Sequence, residues 1–359
     1  MGASSLRLFS LLKITPLEKF NVVEIFIFSL NHKAYSGNRN LNLKVYWDNG
    51  VIVKHKDLTL CFDPQTSKIS HKHVLISHAH QDHTAGLNAW NPLKYLTNPT
   101  LKIFKAYTGR KPVKVVEVNY GEEFKIEDCR IKVHNSGHIL GSAAFQVDTS
   151  EGVIAYTGDL NYTDTIITLA ASPIDCDILI VESTYGNGFI FPPREEIYKS
   201  MVKWVVEKIH EGKIPVFYAY PIGKAQEIVK MLNVFLNVDV IVHPVIAKIN
   251  RVYELLGIKL KAIPGYLSPK HHGCVVVYPF SMFRTSQVKN EASALVTGWA
   301  LNFKQRKGFP LSSHGDFRQI LEFIRECKPR KVYTCFGFAL QLAYQVKRKL
   351  GINAEPLHT

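Results

Sequence analysis

Three histidines and an aspartate fall within six positions, His78-Ala79-His80-Gln81-Asp82-His83, directly after the apolar run Val74-Leu75-Ile76-Ser77. Such a run reads as a buried strand, and Thr84-Ala85-Gly86 begins a polar turn into Leu87–Trp90. The cluster therefore sits where a strand ends and the chain bends, so several side chains can converge on one point. A lone histidine there is more often a hydrogen-bonded core residue. Three imidazoles and a carboxylate at this spacing have the donor set of a metal site, because N and O ligands suit zinc and leave room for water. Only 15 of 359 residues are histidine, so composition does not explain the crowding.

The same arrangement recurs along the chain. Leu58–Phe62, Val74–Ile76, Ile131–Val133, Ala143–Val147, Val153–Tyr156 and Ile178–Val181 read as short strands. Asp63, His78, Asp159 and Glu182 fall at or just after the ends of such runs, where loops on a rigid sheet carry a site. After Glu182 the pattern changes. Pro192-Pro193 precedes a helix with Ile197, Met201, Trp204, Val205 and Ile209 on one face, and Gly212 is placed to end it. Strand-like Val216–Tyr220, a helix from Gly223-Lys224, strand-like Val238–Val242, a helix around Ile246–Leu256 and strand-like Val275–Tyr278 make an α/β alternation. Helix Phe317–Cys327, strand Lys331–Cys335 and helix Ala339–Leu350, ended by Gly351, complete the chain. There is no internal repeat.

His78-x-His80-x-Asp82-His83 resembles the signature of the metallo-β-lactamase superfamily, and that family's other motifs follow in order. They are Asp63, His138 in Ser136-Gly137-His138, Asp159 in Thr157-Gly158-Asp159, and Glu182 in Val181-Glu182-Ser183-Thr184. Phe217–Glu227, Val296-Thr297-Gly298-Trp299 and Pro310–Asp316, the last containing His314, are similar to the β-CASP branch of nucleic-acid-processing enzymes. The tail is most similar to compact ligase-associated exonucleases and, more distantly, to Artemis-type DNA nucleases. The resemblance implies an α/β fold: a metallo-β-lactamase αββα sandwich from residues 41–190 and 301–359, with a β-CASP α/β domain inserted at 191–300. It implies that His78, His80 and His138 bind one zinc, and Asp82 with His83 a second, with Asp159 bridging. His314 oriented by Glu182 is the implied general acid, and Asp63 positions a ligating histidine. One position departs from many relatives: Phe336 stands in Cys335-Phe336-Gly337 where they carry a motif C histidine. The expectation is one tightly held zinc, a second weaker one, and exonuclease action.

The formal charge of +14 and pI near 9.4 favour a polyanionic partner, most simply single-stranded nucleic acid, although an anionic membrane or a merely soluble surface also fits. Gly223-Lys224 lacks P-loop spacing; the lysine either holds one backbone phosphate at a helix start or is simply solvated. The six cysteines (61, 129, 176, 274, 327, 335) form no C-x-x-C pair, which fits free thiols in a reducing cytoplasm. Residues 1–40 read as an extension of unknown role, with an edge strand as a candidate at its end. Their apolar run Asn21–Phe28 is too short to span a bilayer, Leu8–Leu12 is too short for a signal core, and Leu6 breaks a myristoylation pattern. Two other functions fit the residues less well. A small-molecule hydrolase of the same superfamily does not need the insertion, and a non-catalytic nucleic-acid-binding subunit does not need the intact motifs.

Overall fold

The computed structural model describes residues 43–267, 273–285 and 290–357. The extension at 1–40, with its candidate edge strand, lies outside them. β1 (Leu43–Trp47) and β2 (Val51–His55) form an antiparallel hairpin whose turn places Asn49 at φ 49°. β3 (Leu58–Phe62) joins antiparallel, then β4 (His73–Leu75), β5 (Leu93–Thr97) and β6 (Val115–Val118) join parallel, giving six strands in sequence order. α1 (Asn98–Thr108) connects β5 to β6. Thr97 accepts from Thr100 N at its start, and left-handed Gly109 ends it. Leu101 and Phe104 of α1 cover Ile52, Cys61, Val74 and Ile76 on the outer face of this sheet.

β7 (Glu123–Ile126), β8 (Cys129–Asn135), β9 (Ala143–Thr149) and β10 (Gly152–Tyr156) run as an antiparallel meander, and β11 (Ile178–Glu182) adds parallel to β10. The chain then leaves this sheet. α2 (Arg194–His210), β12 (Ile214–Ala219), α3 (Lys224–Phe235), β13 (Val240–Val242), α4 (Pro244–Leu255), β14 (Ile263–Pro264), β15 (Val275–Pro279), β16 (Glu291–Val296) and β17 (Gly308–Phe309) build a separate six-stranded parallel sheet. Its strand order is β14-β13-β15-β12-β16-β17. β15 is buried at every position, as expected of a parallel strand covered on both faces. Phe217, Ala219, Val242 and Val277 pack under α2–α4 together with Ile103 of α1 and Ile139. Val216, Tyr218, Val276 and Tyr278 on the opposite face lie against Phe280, Met282 and Phe283. With β17, this sheet reaches beyond residue 300.

α5 (Phe317–Cys327), β18 (Lys331–Cys335), α6 (Ala339–Leu350) and β19 (Asn353–Pro356) return to the second sheet, where β18 pairs parallel with β11. Its order is β19-β18-β11-β10-β9-β8-β7. The first two sheets share one core, in which Val51, Leu60 and Phe62 meet Phe145, Ile154, Tyr156 and Ile180. Truncating Phe62 to alanine should cost about 3–5 kcal/mol, because the facing rings cannot collapse fully into the gap. α5 and α6 cover the outer face of the second sheet through Phe323, Ile324, Leu342 and Val346. The result is an αββα sandwich carrying an inserted α/β layer, as the sequence implies. All six cysteines are buried and free.

Candidate metal centre

The strand ends of the two facing sheets deliver the site. Asp63 follows β3 directly, with a φ of 43°. A left-handed non-glycine residue costs on the order of 1 kcal/mol or more, and four donors hold this one in place. Asp63 accepts from Ser77 N (2.7 Å), Ser77 Oγ (2.5 Å), Tyr156 Oη (2.7 Å) and His83 Nδ1 (2.8 Å). Gly158, at φ 57°, lets the Asp159 loop press on this corner: a Cβ there would lie 2.5 Å from Ser77 Cβ.

His78, His80, His138 and Asp159 converge, each offering a ligand atom within 4.8 Å of the others. His78 Nε2 and His138 Nε2 each lie 3.0 Å from His80 Nδ1. The outer nitrogens decide what those inner ones carry. His80 Nε2 lies 3.2 Å from Ile222 O and His138 Nδ1 2.8 Å from Ser313 O; carbonyl oxygens only accept, so both nitrogens donate. Ser77 Oγ has given its proton to Asp63, so His78 Nδ1 donates to it at 2.9 Å. Each ring has thus spent its one neutral-state proton outward. Three lone pairs face one another with no hydrogen between them, close enough for bonds of ~2.0–2.1 Å to one ion. Burial holds His78 and His138 well below the ordinary imidazole value and takes His80 down to about 4, which keeps the rings neutral. The donor set suits a divalent metal ion.

Asp159 reaches two ways. Its Oδ2 lies 3.3 Å from His78 Nε2 and 3.4 Å from His138 Nε2, while Oδ1 lies 3.5 Å from His83 Nε2. Burial pushes its carboxyl up to about 7. His83 Nε2 is 3.8 Å from Asp82 Oδ2, and the Asp82 side chain is 63% exposed. Burial alone would lower His83, but Asp159, Asp82 and Asp63 outweigh it and raise the ring to about 10.

Beside the cluster, His314 Nδ1 lies 2.8 Å and 3.1 Å from the two oxygens of fully buried Glu182, and its Nε2 is 3.9 Å from Asp159 Oδ2. Glu182 also accepts from Leu160 N and Thr184 N, which fix its plane. Burial opposes charge on both groups. The imidazole nevertheless holds Glu182 below its ordinary value, and Glu182 with Asp159 holds His314 above its own.

Residues 51–195 match the β-lactamase superfamily domain. Over that stretch the chain carries a β-lactamase superfamily domain. Its relatives include β-CASP nucleases. It is 29% identical over 295 residues to a probable DNA ligase of Opitutus terrae, covering 79% of this chain and 28% of that protein. It is 31% identical over 187 residues to RNase aCSPSF2 of Saccharolobus solfataricus (45% and 38% covered). It is also 33% identical over 184 residues to an RNase J-like protein of Methanocaldococcus jannaschii (46% and 44%). The chain thus spans less than half the length of each of these relatives. In fold it is similar to a protein of unknown function from Enterococcus faecalis, with a TM-score of 0.57, 14% identity, and 81% and 92% of the two chains covered.

Phe336, expected from the sequence to stand in place of a histidine, sets its ring 4.9 Å from that of His83 at a tilt of 53° and meets Trp47 edge-on at 5.7 Å. Lys224 is 5% exposed rather than presented at the surface. Its Nζ donates to Ser313 Oγ at 2.9 Å and lies 3.6 Å from Glu227 Oε2, and burial takes it down to about 8 against the pull of Glu227. The two carbonyls Ile222 O and Ser313 O, together with Ser77 and Tyr156, are the functional groups that sequence reasoning misses. No helix among the described residues is long and apolar enough to cross a membrane.

Proposed function

We propose that this chain is a zinc-dependent nuclease that hydrolyses phosphodiester bonds, acting as an exonuclease on single-stranded DNA ends. His78, His80, His138 and Asp159 would hold the first zinc, and Asp82 and His83, together with Asp159, the second. Ions held there would supply phosphate coordination and a more acidic water. His314 gives its Nε2 proton to the leaving oxygen, Glu182 keeps its Nδ1 and ring plane fixed, and Asp63 orients His83.

The observation that carries this reading is the place of His314. One imidazole, tied to a buried carboxylate at 2.8 Å, turns its other nitrogen to the shared aspartate at 3.9 Å. A proton donor is thus held beside the ligand cluster. The inserted layer, from 191 through β17 at 309, is the second lobe against which the strand would lie, and the +14 charge of the chain supports a polyanionic substrate. DNA is favoured because an alignment over 79% of this chain is to a probable DNA ligase. Free thiols support a reducing, cytoplasmic setting.

End-labelled single-stranded DNA and RNA, incubated with and without chelator, test the proposal. Stepwise loss of nucleotides from DNA, stopped by chelator and restored by zinc, is expected. Binding should weaken steeply between ~50 and ~200 mM salt as counterions are released. Cleavage of neither polymer, with salt-indifferent binding, would overturn it in favour of a small-molecule hydrolase.

A further inference from the structure

Two of the clustered imidazoles are not braced by the sandwich strands that carry them. His80 is held by Ile222 O, in the loop between β12 and α3, and His138 by Ser313 O, in the segment that leads back from β17. Both acceptors are main-chain atoms, so their direction depends on what pins those loops. Arg194, the first residue of α2, donates through Nη2 to Ser312 O at 2.6 Å and through Nη1 to Glu227 Oε1. Tyr198, one turn on, donates to the same Glu227 oxygen at 2.6 Å. Lys224, at the start of α3, ties Ser313 Oγ, while its own main-chain N donates to Ile222 O at 3.1 Å. Ser312 Oγ in turn accepts from His314 N at 3.0 Å.

The ion network is buried, with side-chain exposures of 11% for Arg194, 5% for Glu227 and 6% for Lys224. A buried ion cluster is a poor way merely to glue a layer on, since apolar packing does that as well or better. Here two helices use it to grip two consecutive residues, Ser312 and Ser313, whose backbone faces the site. We infer that Arg194, Glu227, Tyr198 and Lys224 are positioning residues of the metal centre: by fixing Ser313 O and Ile222 O, they set the orientation of His138 and His80 and hence the affinity for the first ion. This rests on the metal reading proposed above. It also gives Lys224 a task other than contacting phosphate.

The test is zinc affinity, read without substrate by competition against a chromophoric chelator, alongside cobalt(II) visible absorption as a probe of ligand geometry. Arg194→Lys keeps the charge and loses the fork that ties Ser312 O to Glu227; Tyr198→Phe removes one donor; Glu227→Gln breaks the ion cluster. Val229→Ala, in the apolar core of α3, controls for general loosening. Arg194→Lys and Glu227→Gln should weaken the tight zinc about 10- to 100-fold, the range for removing groups that orient ligands. Tyr198→Phe should weaken it less, and the cobalt bands should shift in step, whereas Val229→Ala should leave affinity within about twofold. If Glu227→Gln does not fold by circular dichroism, Arg194→Lys decides the matter. A wild type that binds zinc with folded variants of equal affinity overturns this inference alone. A wild type that takes up no zinc overturns the metal reading as well.

Discussion

The two halves of the candidate centre are built to different standards. In the first, His78, His80 and His138 are each locked by an outward hydrogen bond, and their inner nitrogens lie within 3.0 Å of His80 Nδ1. In the second, only His83 is braced. Its partner Asp82 is exposed and 3.8 Å away, and beside the shared Asp159 an aromatic ring, not a further ligand, stands on its flank. The lesson is that ligand identity alone does not make a strong site. The number of groups that must move for an ion to leave matters as much.

That contrast can be broken most severely at the first half. His138→Ala should remove the tight ion and reduce phosphodiester cleavage to background; elemental analysis of the purified variant should show less than one zinc per chain. Full activity in a metal-free variant would end the contrast and the mechanism together. His314→Ala lies beside the first half without belonging to it. It should slow cleavage about 10²–10⁴-fold with zinc content unchanged. Glu182→Gln should do much the same, and the double variant should be little worse than either alone, because the two act as a unit. Additive losses would show that they do not.

Smaller effects sharpen the comparison. Asp63→Asn loses the full carboxylate that orients His83, so uptake of the second ion should weaken about 10- to 100-fold. The first ion should suffer less, since Ile222 O and Ser313 O still hold two of its ligands. Phe336→His should act least and in the opposite direction, tightening the second ion about tenfold, or ~1.4 kcal/mol, in a zinc titration. If the wild type already binds two ions with equal affinity and the substitution changes nothing, the two halves are not unequal.

Much of this was legible in the sequence for reasons that can be named. The strand-then-polar pattern marks Asp63, His78, Asp159 and Glu182 because each apolar run switches to a polar group where its strand gives out, although all four side chains are buried. α5, β18 and α6 match their expected bounds, helped by the stop at Gly351, whose φ is 69°. α1 is not announced, since Asn98–Thr108 mixes β-branched, aromatic and basic residues; its cues are Thr97 and Pro99 at one end and Gly109 at the other. The groups bracing His80 and His138 could not be read at all, because a carbonyl oxygen is present at every residue and only tertiary structure aims it. Lys224 reads as a helix-start cation, yet Glu227 and Ser313 draw it inside. Tyr156 reads as the apolar end of a strand while its hydroxyl serves Asp63.

The pairing of β11 with β18 has a consequence for how the chain acquires its structure. These adjacent parallel strands meet with Glu182 opposite Cys335, and Ser183 Oγ closes the ends by donating to Phe336 O at 2.6 Å across 153 positions of sequence. On a ribosome, β11 emerges long before its partner, and its free edge must wait while the whole inserted layer is made. Contacts of such wide separation form late, and an unpaired apolar edge in the interval invites pairing with another chain. A nascent chain arrested before β18 should therefore be the aggregation-prone species in synthesis, with solubility recovering once Lys331–Cys335 has docked.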